Sequence, residues 1–226
     1  MVDVGYQELF YKTVENPAEL FDQLVSSLLL YNFREEEKWD CHFYTYKRQM
    51  PEKNTITVLD TSNIVNEKAK QYLYLYNDMK SKKETYVSID GCVNMVDSNF
   101  QDVMDNYIKF YTLFQHYQIT GIILYNEDIR VRIGRVDLKT TAKMSNTILV
   151  NIEYCPSGSR TSAPIVKQIQ QFFFRDFEKV HEEAYIPKER QAMNEKQLSL
   201  TRFTVVQVCF LYIILFTDIS GKTIIS

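Results

Sequence analysis

Glycine is scarce in this chain. There are six in 226 residues, and no G-x-x-x-x-G-K is present, so a loop whose backbone cradles phosphate is not expected. Histidine is scarcer still: His42, His116 and His181 share no H-E-x-x-H or other ligand spacing, and no serine sits in G-x-S-x-G. The four cysteines, Cys41, Cys92, Cys155 and Cys209, lie far apart without a C-x-x-C pair, and no signal peptide opens the chain. Three of them fall in apolar strand patterns, where a free thiol acts as a small hydrophobe. Reduced thiols and a reducing compartment, cytosol or nucleus, are therefore expected in place of bridges or metal ligands. Positive charge is not in excess either. A net charge of −3 and a pI near 5.7 argue against general nucleic-acid binding and suit protein partners. A bilayer-length apolar run is also missing: the uncharged run from Phe203 stops before Asp218, short of the roughly 20 apolar residues that span a membrane. It reads as a segment packed on the domain, a foreign chain end or a tail anchor.

What is present is core material. Forty-five per cent of residues are hydrophobic and 14% aromatic, enough for one domain with a tail. We expect a single domain over residues 1–181 and a tail over 182–226, a polar linker followed by the apolar segment.

Asn16-Pro17-Ala18-Glu19 predicts a helix start, with Asn16 as cap, Pro17 in the first turn and Glu19 completing a capping box. Leu20, Leu24 and Leu28, flanked by Phe21, Val25 and Leu29, form its stripe. Residues 34–38 read as a charged connection into a strand from Trp39 to Tyr46, in which Trp39, Cys41 and Phe43 share one face. Residues 50–70 read as a long loop with a short helix near Glu67. A strand at Tyr72 to Tyr76 alternates Tyr and Leu. Strands at Thr85–Ile89 and Cys92–Val96 flank Asp90-Gly91, the signature of a two-residue hairpin. Ser98 and Gln101 predict a capping box for a long amphipathic helix carrying Phe100, Val103, Met104, Tyr107, Ile108 and Tyr111. Strands at 118–125, 129–138 and 147–154 follow, then a helix from near Ser162 burying Ile165, Ile169, Phe172 and Phe173. The order specifies an α+β domain: an antiparallel sheet curled into an incomplete β-barrel and covered by two or three amphipathic helices.

Several of these motifs, in this order, resemble the family of subunit 20 of the Mediator complex. Leu73 to Tyr76 with Asn77 resemble its apolar strand, and Val96-Asp97-Ser98-Asn99-Phe100 its I-A-D-T-N-F. Met104 and Lys109 fall where that family has D-x-L-M-x-K-x-x-x-F. Val131 to Val136 resemble V-K-V-G-x-V, Ile148 to Tyr154 resemble I-x-V-E-V-E-Y, and Ile169 to Phe173 the L-Q-x-F-L of a final helix. Trp39-Asp40-Cys41 corresponds to its V-D-C. Nothing is carried over to the first ten residues, to 50–70 or beyond His181. The resemblance implies the same incomplete barrel and a non-enzymatic nuclear co-activator subunit. It also implies a heterodimer with Mediator subunit 18, contact with other head subunits, and an indirect link to RNA polymerase II. No cofactor, no direct sequence-specific nucleic-acid binding and no membrane are expected.

Three constellations need weighing against plainer readings. Cys155-Pro156-Ser157-Gly158-Ser159-Arg160 lies between a strand and a helix, as a phosphatase loop does. That chemistry needs five residues between Cys and Arg, and here there are four, so a strand end and turn is the plainer account. A small hydrolase using Cys155 stays as the enzymatic rival, and a tail-anchored membrane protein as the other. Arg130 and Arg132, with Arg135 and Lys139 nearby, can dock an acidic group, or simply form the polar side of a strand that buries Ile129, Val131 and Ile133. Tyr72, Tyr74 and Tyr76 form one face of a strand if Leu73 and Leu75 point to the core. Exposed tyrosines of this kind suit a protein interface, and a covering helix from the same chain is the alternative.

Overall fold

In the computed structural model, residues 5–49, 72–78, 85–89, 92–140, 144–157, 162–180, 208–209 and 211–216 are described. The expectations for 50–70, for the Asp90-Gly91 link, for Arg160 and for His181 lie outside them. The elements run β1 (Tyr6–Thr13), α1 (Pro17–Leu30), β2 (Arg34–Arg48), β3 (Tyr72–Asp78), β4 (Thr85–Ile89), β5 (Cys92–Val96), α2 (Phe100–Asn106), β6 (Tyr111–Asn126), β7 (Ile129–Leu138), β8 (Met144–Tyr154), α3 (Ala163–Phe173) and β9 (Glu178–Lys179). The strands form a nine-stranded sheet in the order β5-β4-β3-β2-β6-β7-β8-β1-β9. The registered ladders β1–β8, β1–β9, β2–β3, β3–β4, β4–β5 and β7–β8 are all antiparallel.

The α+β class and the antiparallel sheet are as expected. The barrel is not. β5 and β9 stand at opposite ends of the order and do not pair, and the sheet is neither closed nor strongly curled. Alternating patterns and short hairpin links are common to open and closed sheets. Closure depends on pairing between strands far apart in sequence, which no local pattern encodes.

The chain falls into two compact units. The first comprises Met1–Asp40, Ile119–Asp137 and Lys143–Ser226, the second Cys41–Gln118 and Leu138–Ala142.

In the first unit β8 is the spine. Ile148, Leu149, Val150 and Ile152 are wholly buried, and Asn151 and Glu153 nearly so, which explains why this strand reads as an almost unbroken apolar run. α1 and α3 contact β8 and each other. Asn16 caps α1 by accepting from the Glu19 N–H, and its amide donates to the Glu19 carboxylate. Leu24 and Leu28 are the buried positions of α1. In α3 the buried stripe is turned from the one expected: Val166 is buried, whereas Ile165 and Phe172 face out at 36% and 62% exposure. Apolar residues occur on two adjoining faces of that helix, so spacing alone could not choose between them. β1 was not foreseen, because Gln7 and Glu8 break its alternation. Both are buried against partners: the Asn151 amide donates to Gln7 Oε1 at 2.7 Å, and the Tyr6 hydroxyl to Glu8 at 2.7 Å. In the tail, residues 208–209 and 211–216 are helical and buried, Leu215 completely. No helix among the described residues is long and apolar enough to cross a membrane.

The second unit has its own core. Tyr44, Tyr46, Leu73, Leu75, Val87 and Met104 are buried together, with Val96, Phe100, Ile108 and Tyr111 packed beside them. The Ile89↔Cys92 pairing leaves two residues for the β4–β5 link, as the hairpin expectation requires. α2 is shorter than expected: it ends at Asn106, and Tyr111 already opens β6. Its cap is Asn99, with no side-chain hydrogen bond, so the Ser98–Gln101 capping box does not form. β2 is longer than expected, since residues 34–38 extend the strand instead of linking to it.

Candidate protein-interaction surface

β3 is held between β2 and β4, with Tyr72 opposite Lys47, Tyr74 opposite Thr45 and Ser88, and Tyr76 opposite Phe43 and Tyr86. Leu73 and Leu75 face the core of the second unit, which turns the three tyrosines to the other side of the strand. They are not equivalent there. Tyr76 is buried, its hydroxyl 3.6 Å from Cys41 Sγ, whereas Tyr72 and Tyr74 are half-buried. The Tyr72 and Tyr74 rings stack at 6.4 Å, Phe43 lies 5.9 Å from Tyr74, and Phe114 of β6 lies 5.9 Å from Tyr72. Phe114 is 42% exposed, and the Lys47 ammonium sits 5.9 Å from its ring centre. The tyrosine row thus continues into Phe114. That residue was missed because Tyr107 and Tyr111 carry the helical spacing forward, so the start of β6 reads as more helix.

The other constellations are absorbed by the fold. Glu153, 4% exposed, takes Arg130 at 3.2 Å and Arg132 at 2.9 Å, and accepts from the Gly5 N–H at 3.1 Å. Arg130 also meets Glu36 at 3.1 Å, and Arg132 donates to the side-chain Oδ1 of Asn151. Burial opposes the charge on Arg130, but Glu153, then Cys155 and Glu36, outweigh it and hold its pKa above the usual value. These arginines serve internal carboxylates, and Val131 and Ile133 are wholly buried behind them. Cys155 is half-buried. Burial first, and then Glu153, push its thiol up, away from the thiolate that a phosphatase needs.

The structure does bring His42 and His116 together, 2.8 Å apart and stacked with Tyr44. Burial, then His42 and Lys139, lower His116 to about 4. Two histidines without a third ligand make no metal site, and no cluster of three or more such side chains occurs among the described residues.

The chain has a counterpart among known proteins at the level of sequence family. A family described as the TATA-binding related factor (TRF) of subunit 20 of Mediator complex matches residues 9–216. No curated protein is similar enough to match. Solved structures resemble the fold only distantly. A conserved hypothetical protein from Pyrococcus furiosus is 8% identical with a TM-score of 0.43, covering 76% of this chain and 94% of that one. A chain in the structure of the Schizosaccharomyces pombe Mediator head module is 12% identical with a TM-score of 0.40, covering 76% of this chain and 96% of that one. A putative adenylate cyclase from Vibrio parahaemolyticus is 10% identical at 0.42, covering 84% and 99%. Scores this low decide nothing about function.

Proposed function

This chain belongs to the family of subunit 20 of the Mediator complex, and from that membership we propose how its surface is used. The protein is a non-enzymatic subunit of Mediator and regulates RNA polymerase II transcription. The match over residues 9–216 is the observation that carries this reading. Within the proposal it acts in the nucleus and in the head module, as a heterodimer with Mediator subunit 18, and reaches the polymerase through other subunits. It contacts neither membrane nor specific nucleic-acid sequence. Residues 1–181 work as one α+β domain, and 182–226 as a tail whose apolar segment packs back on it.

The tyrosine strand is the proposed contact. Tyr72 and Tyr74 are half-exposed, stacked on each other and extended by Phe114, while Tyr76 at the other end of the row is buried. Aromatic side chains presented from a rigid strand lose little entropy on docking. Co-expression with subunit 18 tests the reading. The two chains are expected to co-purify at micromolar concentration, and failure to do so removes the heterodimer. The double variant Tyr72→Ala/Tyr74→Ala is expected to bind at least about thirtyfold more weakly with the melting temperature unchanged. Unchanged affinity with a lowered melting temperature would make the tyrosines core.

A further inference from the structure

The first unit carries a second apolar surface, built on helices. At the C-terminal end of α1, Leu29, Leu30 and Tyr31 are 48%, 83% and 52% exposed, beside the exposed Phe172 of α3. The Tyr31 ring joins the end of α1 to α3, meeting Phe172 at 5.1 Å and Phe173 at 5.2 Å, both edge-on, and Leu29 and Leu30 precede it in the chain. An exposed aromatic and aliphatic cluster at a helix junction marks an interaction site more often than an isolated surface leucine does. The charge of α1 is one-sided. α1 contains no lysine or arginine, and its solvent face carries Glu19 and Asp22, with Gln23 and Ser26 leading to Leu30. Neither α1 nor α3 has a basic residue in its last turn, where a cation would favour the helix dipole. Lys167 and Arg175 leave α3 mixed in charge, so the acidic character of the surface is that of α1.

We propose that this α1–α3 surface docks an amphipathic helix of a partner protein, with its apolar stripe on Leu30, Tyr31 and Phe172 and basic side chains opposite Glu19 and Asp22. The 14 residues of α1 span about 21 Å at 1.5 Å per residue, the length of roughly four turns of a partner helix. α1 and α3 are in contact, and a third helix can pack across such a pair. A second copy of this chain fits poorly, because two α1 helices in contact would bring acidic faces together with no lysine or arginine on either to offset them. Every residue of this surface lies in the first unit and none in the tyrosine row, so its fate and that of the subunit 18 contact are decided separately.

The test uses the full chain and a labelled helical peptide with leucine at heptad a and d positions and lysine elsewhere, alongside a twin with glutamate in place of lysine. Fluorescence anisotropy is expected to show micromolar, salt-sensitive binding of the lysine peptide alone. Leu30→Ser/Phe172→Ser is expected to weaken it by about tenfold or more with the melting temperature kept, since both side chains are exposed. Glu19→Lys/Asp22→Lys is expected to reverse the preference toward the glutamate peptide, and it keeps the test valid should the apolar variant fold poorly. Equal binding of the two peptides, or unchanged preference in the charge-reversed variant, overturns the proposal. So does self-association of the parent in sedimentation that Leu30→Ser relieves, which would give the patch to a second copy.

Discussion

Glu153 is the carboxylate on which the Gly5 N–H, Arg130 and Arg132 converge, and its side chain is only 6% exposed against 26% and 20% for the two arginines. Removing a buried partner leaves charges without compensation, although Arg130 keeps Glu36 here. Glu153→Ala is therefore expected to cost about 3 kcal/mol in urea unfolding, and Glu153→Gln less, because it keeps an acceptor for Gly5. Gly134 makes room for the one tryptophan. A methyl group there would stand 2.7 Å from Ile119 Cγ2 and 3.0 Å from the buried Trp39 ring, so Gly134→Ala is expected to destabilise by about 1–3 kcal/mol. His116 sets a pH dependence. Its pKa of about 4 in the fold lies below the ordinary 6.5, so the unfolded chain takes up the proton first as pH falls. Stability present above pH 6.5 should decline between pH 6.5 and 4, and His116→Gln should flatten that part of the profile in thermal melts.

α2 shows how an element can be half legible. Met104 is buried and Asp102 and Asn106 are exposed, as the periodicity required, yet the same stripe placed Tyr107 inside, where it is 77% exposed. Helical spacing continues past Asn106 in the sequence, but the chain leaves the helix to enter β6, and strand pairing overrides local preference. Met104→Ala is accordingly expected to cost about 2–5 kcal/mol, and Asp102→Ala or Asn106→Ala to stay within about 0.5 kcal/mol, by denaturant titration. An equal cost at Asp102 would mean that the helix is buried on another face. In β3 the alternation was enough to turn Leu73 and Leu75 inward, because a strand has only two faces. In α3 it was not enough: a helix can roll between adjoining apolar stripes, and packing selected Val166 over Ile165.

For the molecule as a whole, the apolar tail segment was the open question. Tyr212, Leu215 and Phe216 are buried, and burial pushes the Cys209 thiol far above its ordinary range. Maleimide labelling of the native protein should spare Cys41 and Cys209 and reach both once urea unfolds the chain. Rapid native labelling of Cys209 would mean that the segment leaves its packed position in solution. The same burial distinguishes this segment from the exposed apolar patch at Leu30 and Phe172: one completes a core, the other faces solvent.

By itself the sequence determined the α+β class, the strands β4, β5 and β7, the α1 cap and the family, because each rests on spacing within a few residues or on short motifs in order. It could not determine β1, whose polar Gln7 and Glu8 are buried against partners: Asn151 for Gln7, and Tyr6 and Lys179 for Glu8, with Asn151 and Lys179 coming from across the chain. Nor could it reveal that Arg130 and Arg132 serve Glu153, that His42 meets His116, or that Phe114 extends the tyrosine row. Each of these is a meeting of residues distant in sequence. Whether the sheet stays open was likewise left to the tertiary structure, since closure is a choice of strand partners and every strand's own pattern is satisfied either way.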